Sequence, residues 1–468
     1  MQHGDGREIS SRICYPIRRV HSSKTYMATM TKEILISNAM LWPAAEQAPI
    51  PNGRILIRDG RIARMGKFNA MATTEIDAAG GLVMPGLIQA HVHLAQTLFR
   101  GVAEDLPLLP WLRRYIWPLE AAHDADSLYA SALLACAEML RSGVTAFLSM
   151  ETTHHTGAVF AAVEQSGLMG VIGHCLMDAT GNYPPLAVPL DDVLAECDLL
   201  LDKLGKHDRL RLVIAPRFAL SCAPQMLRTA AEFARQHHLR LHTHAAEQEQ
   251  EVLLVRKLTG LGNIEFLHKV GLTGPDVSIA HCVHAERAEW EILAGTQTSV
   301  LHCPTANLKL GSGVAPVPDF LVRGINVALG SDGAVCNNRL DLFQEIRLAA
   351  LLQKPLRGPD ALPAKSVVRM ATEGGARALG WEKEMGTLEV GKRANLIIVN
   401  PNKLHVAPST DPAANLVFAH EPSDVDLTMV NGEILYRNGA FTALDEEQIL
   451  ATAHEQRAKL IQRAGLGS

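Results

Sequence analysis

Met84-Pro85-Gly86-Leu87-Ile88-Gln89-Ala90-His91-Val92-His93 is an apolar run that closes in two histidines one residue apart. Residues i and i+2 of a strand face the same side, so both imidazoles leave the strand end together and face one point. That arrangement suits a divalent cation such as zinc, for which neutral imidazole is a common ligand. The chain carries 20 histidines, so the pair means little by itself. Its weight comes from what stands at the ends of the other apolar segments.

Strand-like segments are expected at 82–90, 144–150, 169–177, 210–215, 239–244, 277–281, 299–302 and 326–332. Amphipathic stretches such as 125–141, 224–236, 286–294 and 340–353 lie between them. This alternation predicts an α/β fold, a (β/α)8 TIM barrel over residues 83–384. An open doubly wound sheet would need a Gly-rich first turn, which is missing, and would not draw on so many strand ends. Short apolar strands with turn signals, including Asn431-Gly432, flank the barrel. They are too short to bury a core separately, so 32–82 and 385–445 are expected to join in one small β-sandwich domain. Residues 446–468 read as a C-terminal helix. Residues 1–31 have neither periodicity nor an apolar h-region; they are expected to be either a disordered tail or a mis-assigned extension, translation in the latter case starting at Met27 or Met30.

Composition narrows the class. The formal net charge of −5 leaves no nucleic-acid footprint. Eight cysteines without a C-x-x-C pair read as reduced thiols of a cytoplasmic protein. No apolar run approaches the ~18–20 residues of a membrane span.

The strand ends carry the chemistry. The fifth closes in His244 with Glu247 three residues on, the sixth in His281, the seventh in His302 and the eighth in Asp332. In a TIM barrel these ends converge on one mouth. His91, His93, His244 and Asp332 are the expected ligands, leaving room for a water whose pKa a metal lowers toward ~7. Glu247 is placed to shuttle a proton, His281 to hold the water, and Asp332 to take a second proton. The fourth strand ends Ala215-Pro216-Arg217, without a lysine to bridge a second ion, so one metal is expected. His242 is expected to face away from His244 and pack, and Cys282 and Cys303 to be buried. His154 and His155 are expected near the mouth. The competing reading of Glu247 is a solvated helix charge, as for Glu249 and Glu251. A barrel kept only as a binding scaffold would be expected to lose ligands, and none is missing.

Pro85-Gly86-Leu87 before His91-x-His93, His244-x-x-Glu247, Ala280-His281-Cys282 and Ser331-Asp332-Gly333 together resemble the amidohydrolase superfamily, in its aminohydrolase branch. The resemblance covers about residues 34–441. It implies one zinc, with iron as the alternative, and a hydrolytic deaminase that releases ammonia from a purine-like small molecule. It also implies a homodimer or higher homo-oligomer, without nucleic-acid or membrane partners. Two subfamilies compete. The stretches 98–108, 116–120, 307–313 and 336–338 are similar to methylthioadenosine/S-adenosylhomocysteine and 5′-deoxyadenosine deaminases, in which the glutamate matching Glu120 binds ribose hydroxyls. The stretch 216–222 and Gln96 resemble guanine deaminase, in which the arginine and glutamine matching Arg217 and Gln96 read an oxo edge. Adenosine-type enzymes carry a histidine in place of Arg217, and an arginine for a substrate carboxylate near His174. His302-Cys303-Pro304 is closer to the guanine version. The substrate-binding candidates are thus Gln96, Glu120, Arg217, His302 and His174. An adenosine derivative is the first expectation. Guanine, 8-oxoguanine or a pterin comes second, and a triazine-type aminohydrolase or chlorohydrolase third.

Overall fold

The apolar run that opens the barrel is two strands, not one. In the computed structural model, which describes residues 33–178, 183–408 and 410–466, Leu82–Pro85 runs antiparallel to Leu396–Val399. The chain then breaks at Gly86, and Leu87–Val92 starts a separate sheet. A Cβ on Gly86 would lie 2.2 Å from Cγ2 and 2.4 Å from Oγ1 of Thr145, so only glycine passes this corner. Both halves are fully buried, which is why their sequence reads as one continuous strand. The extension expected over 1–31 lies outside the described residues.

Eight parallel strands follow in chain order: β1 (Leu87–Val92), β2 (Val144–Ser149), β3 (Met169–Leu176), β4 (Leu210–Pro216), β5 (Arg240–Ala245), β6 (Val277–His281), β7 (Ser299–His302) and β8 (Val327–Leu329). They are almost wholly buried, as strands covered on both faces must be. Helices Ala125–Arg141 and Pro224–Gln236 fall where the periodicity puts them. The first is capped by Asp124, whose carboxylate accepts the Ser127 N–H at 2.8 Å. The second starts with proline at N1.

The barrel closes through side chains as well as backbone. Past β8 the Asp332 N–H donates to the His91 carbonyl at 3.0 Å. The Gln89 amide spans the same seam, with Oε1 accepting the Ser331 N–H at 2.8 Å and Nε2 donating to Ser331 Oγ at 2.7 Å. A Cβ on Gly330 would lie 2.7–2.8 Å from His91 Cβ, O and N, so glycine sets how closely β8 approaches β1.

The two terminal segments meet in one nine-stranded mixed sheet. Its own core includes Ile36, Leu41, Ile55, Val83, Leu396 and Met429. Asn431-Gly432, with φ of +51° and +74°, turns the hairpin between Val425–Val430 and Glu433–Arg437. The last helix, Glu446–Arg463, returns to the barrel, where Arg457 donates to the carbonyls of Leu98 and Arg100. Among the described residues no helix is long and apolar enough to cross a membrane.

The corner makes a direct prediction. Gly86→Ala should cost about 1–3 kcal/mol in a urea titration, and Thr145→Ala in the same chain should recover part of it. A neutral Gly86→Ala would show that the corner does not depend on glycine.

Candidate metal and acid–base site

Three strand ends turn sharply as they reach the barrel mouth. Ala246, His281 and Asp332 adopt left-handed backbone, with φ of +51°, +72° and +64°. Such residues cost about 1–3 kcal/mol each, and two of them, His281 and Asp332, carry polar side chains of the cluster. His91 and His93 leave β1 on one face, and His244 leaves β5 toward them.

Backbone carbonyls fix the tautomers. His93 Nδ1 lies 2.6 Å from the Met150 carbonyl, and His244 Nδ1 lies 2.7 Å from that of Arg217. A carbonyl only accepts, so each Nδ1 carries the proton and each Nε2 offers a lone pair. These Nε2 atoms are 3.3 Å apart. Asp332 Oδ1 lies 3.3 Å from His91 Nε2 and 3.2 Å from His93 Nε2. Burial pushes His91 down to about 4 and His244 well below the ordinary histidine range, so both imidazoles are neutral. Lone pairs and a carboxylate therefore face one another, and His91 Nε2 is buried with no hydrogen-bond partner. This is unfavourable unless a cation lies between them. The four donor atoms fall within 4.8 Å of one another, and the set of three imidazoles and one carboxylate suits a divalent metal.

The acid–base groups adjoin this cluster. His281 Nε2 is 3.6 Å from Glu247 Oε2 and 3.9 Å from Asp332 Oδ2. Its Nδ1 is 2.8 Å from Asn307 Oδ1, which sets the ring. Burial alone would lower His281, but Glu247, Asp332 and the Asn307 hydrogen bond outweigh it and raise the pKa. Burial raises Glu247 to about 7, partly opposed by His281. Glu247 is no solvated helix charge: it is buried, and its Oε1 has no partner. Nor is Glu251, which is 1% exposed. Glu251 Oε2 accepts the Glu247 N–H at 2.8 Å, and its Oε1 accepts from Asn263 at 2.7 Å.

These groups line a narrow cavity with Gln96 and Arg217, under an apolar cover of Leu108, Trp111, Leu112, Phe218 and Leu310. Its volume is about 30 Å³, room for water but far below the roughly 300 Å³ or more of a usual ligand pocket. Arg217 grips Glu120 through both Nη atoms, the Nη2–Oε1 distance being 3.1 Å. Gln96 Nε2 donates to the same Oε1 at 2.9 Å. All three are buried, with Glu120 behind the cavity wall.

Besides Glu120, two more substrate candidates do not line the cavity. His174 Nδ1 sits 2.8 Å from Thr156 Oγ1, inside β3. His302 is buried at the end of β7 with neither ring nitrogen partnered. Burial pushes it down to about 3. His154 is engaged with the Pro185 carbonyl at 3.3 Å. Cys282 and Cys303 are buried, as expected. The reading of His242 was mistaken: two residues from His244, it shares that residue's face, and its Nε2 lies 2.8 Å from His91 Nδ1. Asn307 and the apolar cover were not singled out as parts of the site, because an amide or a leucine carries no mark of its contacts.

A model of the Amidohydrolase family matches residues 82–435. The chain belongs to this family. It is 40% identical over 417 residues to a 5′-deoxyadenosine deaminase of Methanothermobacter thermautotrophicus, covering 88% of this chain and 95% of that one. It is also 40% identical over 439 residues to a 5-methylthioadenosine/S-adenosylhomocysteine deaminase of Moorella thermoacetica, covering 91% and 99%. Among solved structures, an adenosine deaminase from Xanthomonas campestris with bound zinc superposes with a TM-score of 0.86. It is 29% identical, with 92% and 98% covered.

The raised Glu247 pKa carries a sign. In metal-free protein the folded state binds this proton more tightly than the unfolded state. Its destabilising effect is therefore absent near pH 4.5 and grows as pH rises through 7. Metal-stripped Glu247→Gln should be more stable than the parent at pH 8, with the difference shrinking toward pH 4.5 in urea titrations. A pH-independent difference would contradict the assignment.

Proposed function

We propose that this member of the family is a hydrolytic deaminase of an adenosine derivative, of 5′-deoxy- or 5′-methylthio-adenosine type, using one zinc ion. The observation that carries the reading is the gathering of the ligand atoms of His91, His93, His244 and Asp332 within 4.8 Å of one another, beside a buried glutamate raised to about 7. The substrate class rests on relatives at 40% identity over most of the chain that are named as deaminases of such nucleosides. Zinc is supported by the zinc-containing Xanthomonas structure, and iron accepts the same donors. The protein is taken to be cytoplasmic and homo-oligomeric.

When bound, the metal would supply the Lewis acidity that makes water a nucleophile at neutral pH. The chain's residues do the rest. Glu247, near 7, is suited both to take a proton from water and to give it to the ring nitrogen beside the reacting carbon. His281, held by Asn307, presents Nε2 to the oxygen added at that carbon and steadies its charge. Asp332 takes the second proton and passes it to the departing amine. Water and the amino-substituted ring thus become the oxo-substituted ring and ammonia. Leu108, Trp111, Leu112 and Leu310 form the apolar part of the lining that a nucleoside would meet.

One observation favours a guanine-like ring as the second reading: Gln96 and Arg217 both line the cavity. An ammonia-release screen over adenosine, 5′-deoxyadenosine, 5′-methylthioadenosine, guanine, 8-oxoguanine and a pterin decides between them. Turnover of the adenosine derivatives is expected, and turnover of guanine alone would overturn that choice. Glu247→Gln and His281→Ala should each lower kcat by about 10²–10⁴-fold while metal content by mass spectrometry stays near the parent's. Loss of the metal would mean that these residues are ligands.

A further inference from the structure

We propose that His242 is a positioning residue for His91, fixing the tautomer in which His91 turns Nε2 toward the metal. The proposal rests on the metal reading above. His93 and His244 hold their Nδ1 protons on backbone carbonyls. The Nδ1 of His91 meets the ring of His242 instead, at 2.8 Å, with the ring planes inclined at 71°.

The proton arrangement follows in two steps. His242 Nδ1 lies 3.0 Å from the Ser278 carbonyl on the neighbouring strand β6. That oxygen only accepts, so His242 carries its proton on Nδ1. On the metal reading His91 keeps Nε2 free for the cation, so its own proton sits on Nδ1, and the His242 Nε2 that faces it at 2.8 Å is the acceptor. His91 Nδ1 must then donate to it. The remaining nitrogen, His91 Nε2, is the buried unpartnered atom 3.3 Å from Asp332 Oδ1. The relay runs from the Ser278 carbonyl through His242 and His91 to the ligand cluster. Strand geometry supplies it: two residues before His244 on the same face of β5, His242 reaches across the barrel interior to β1.

A residue that merely filled space would be replaceable by any side chain of similar bulk. One that selects a tautomer is replaceable only by a group that both donates to Ser278 and accepts from His91. Zinc affinity of the full chain, measured by competition with a chromophoric chelator, separates the two. His242→Gln, with one acceptor and one donor, should bind within about threefold of the parent. His242→Leu should bind roughly 10–100-fold more weakly. The visible spectrum of the cobalt-substituted protein should shift in the Leu variant and not in the Gln variant. Equal affinity and an unchanged cobalt spectrum in His242→Leu would overturn the proposal. Should the Leu variant fail to fold, ¹⁵N shifts of His242 in the parent decide: protonation at Nδ1 is expected, and protonation at Nε2 overturns it. A parent that takes up no zinc overturns the metal reading and this one with it. A parent that binds zinc beside an equally tight Leu variant overturns this one alone.

Discussion

Three imidazoles turn ring nitrogens toward one another and toward a carboxylate, all inside a buried cavity, and much of the barrel serves to hold them there. Without a cation such a cluster is repulsive. It persists because each ring is fixed from behind and each strand end is fixed from the side. The seam between β1 and β8 matters most. Gly330 lets the two backbones approach, Gln89 ties Ser331 across the gap, and the Asp332 N–H completes the contact on the His91 carbonyl. The carboxylate therefore arrives opposite the histidines as a result of barrel closure. A slip of one residue in either strand would turn the ligands into the wall.

The same burial sets the acid–base chemistry. Glu247 is raised to about 7 because it is desolvated, and it remains ionisable because His281 stands 3.6 Å away. Glu251 supports it from the first turn of the next helix by accepting its backbone N–H. The apolar cover of Trp111, Leu112 and Leu310 keeps bulk water from screening these interactions.

Much of this was legible in the sequence because the signal is local. Apolar strands that end in His or Asp mark a barrel mouth, and i, i+2 spacing pairs His91 with His93. The same spacing pairs His242 with His244, against the expectation that His242 faces away. The break at Gly86 stayed hidden because both strands beside it are buried on every face, so no change of period marks the corner. Glu251 looked like its exposed neighbour Glu249, since an acidic run at a helix start is usually solvated. His302 and His174 show the limit of reading histidines beside strands as site residues. Both are buried in barrel strands, yet neither lines the cavity.

The pairing of Arg217 with Glu120 sharpens the question of which ring enters. Guanine recognition by Arg217 would ask the guanidinium to turn from Glu120 to a neutral carbonyl. Breaking a buried ion pair by removing one partner costs about 3–5 kcal/mol, whereas a hydrogen bond to a charged group returns about 1.5–3 kcal/mol. On these figures the exchange is unfavourable. Glu120 has the opposite character. Already accepting from Arg217 and Gln96, it is an anionic acceptor whose partners neutralise its charge without blocking every lone pair. Energetically, then, the pair favours a ligand that leaves Arg217 on Glu120, as the adenosine-derivative reading does.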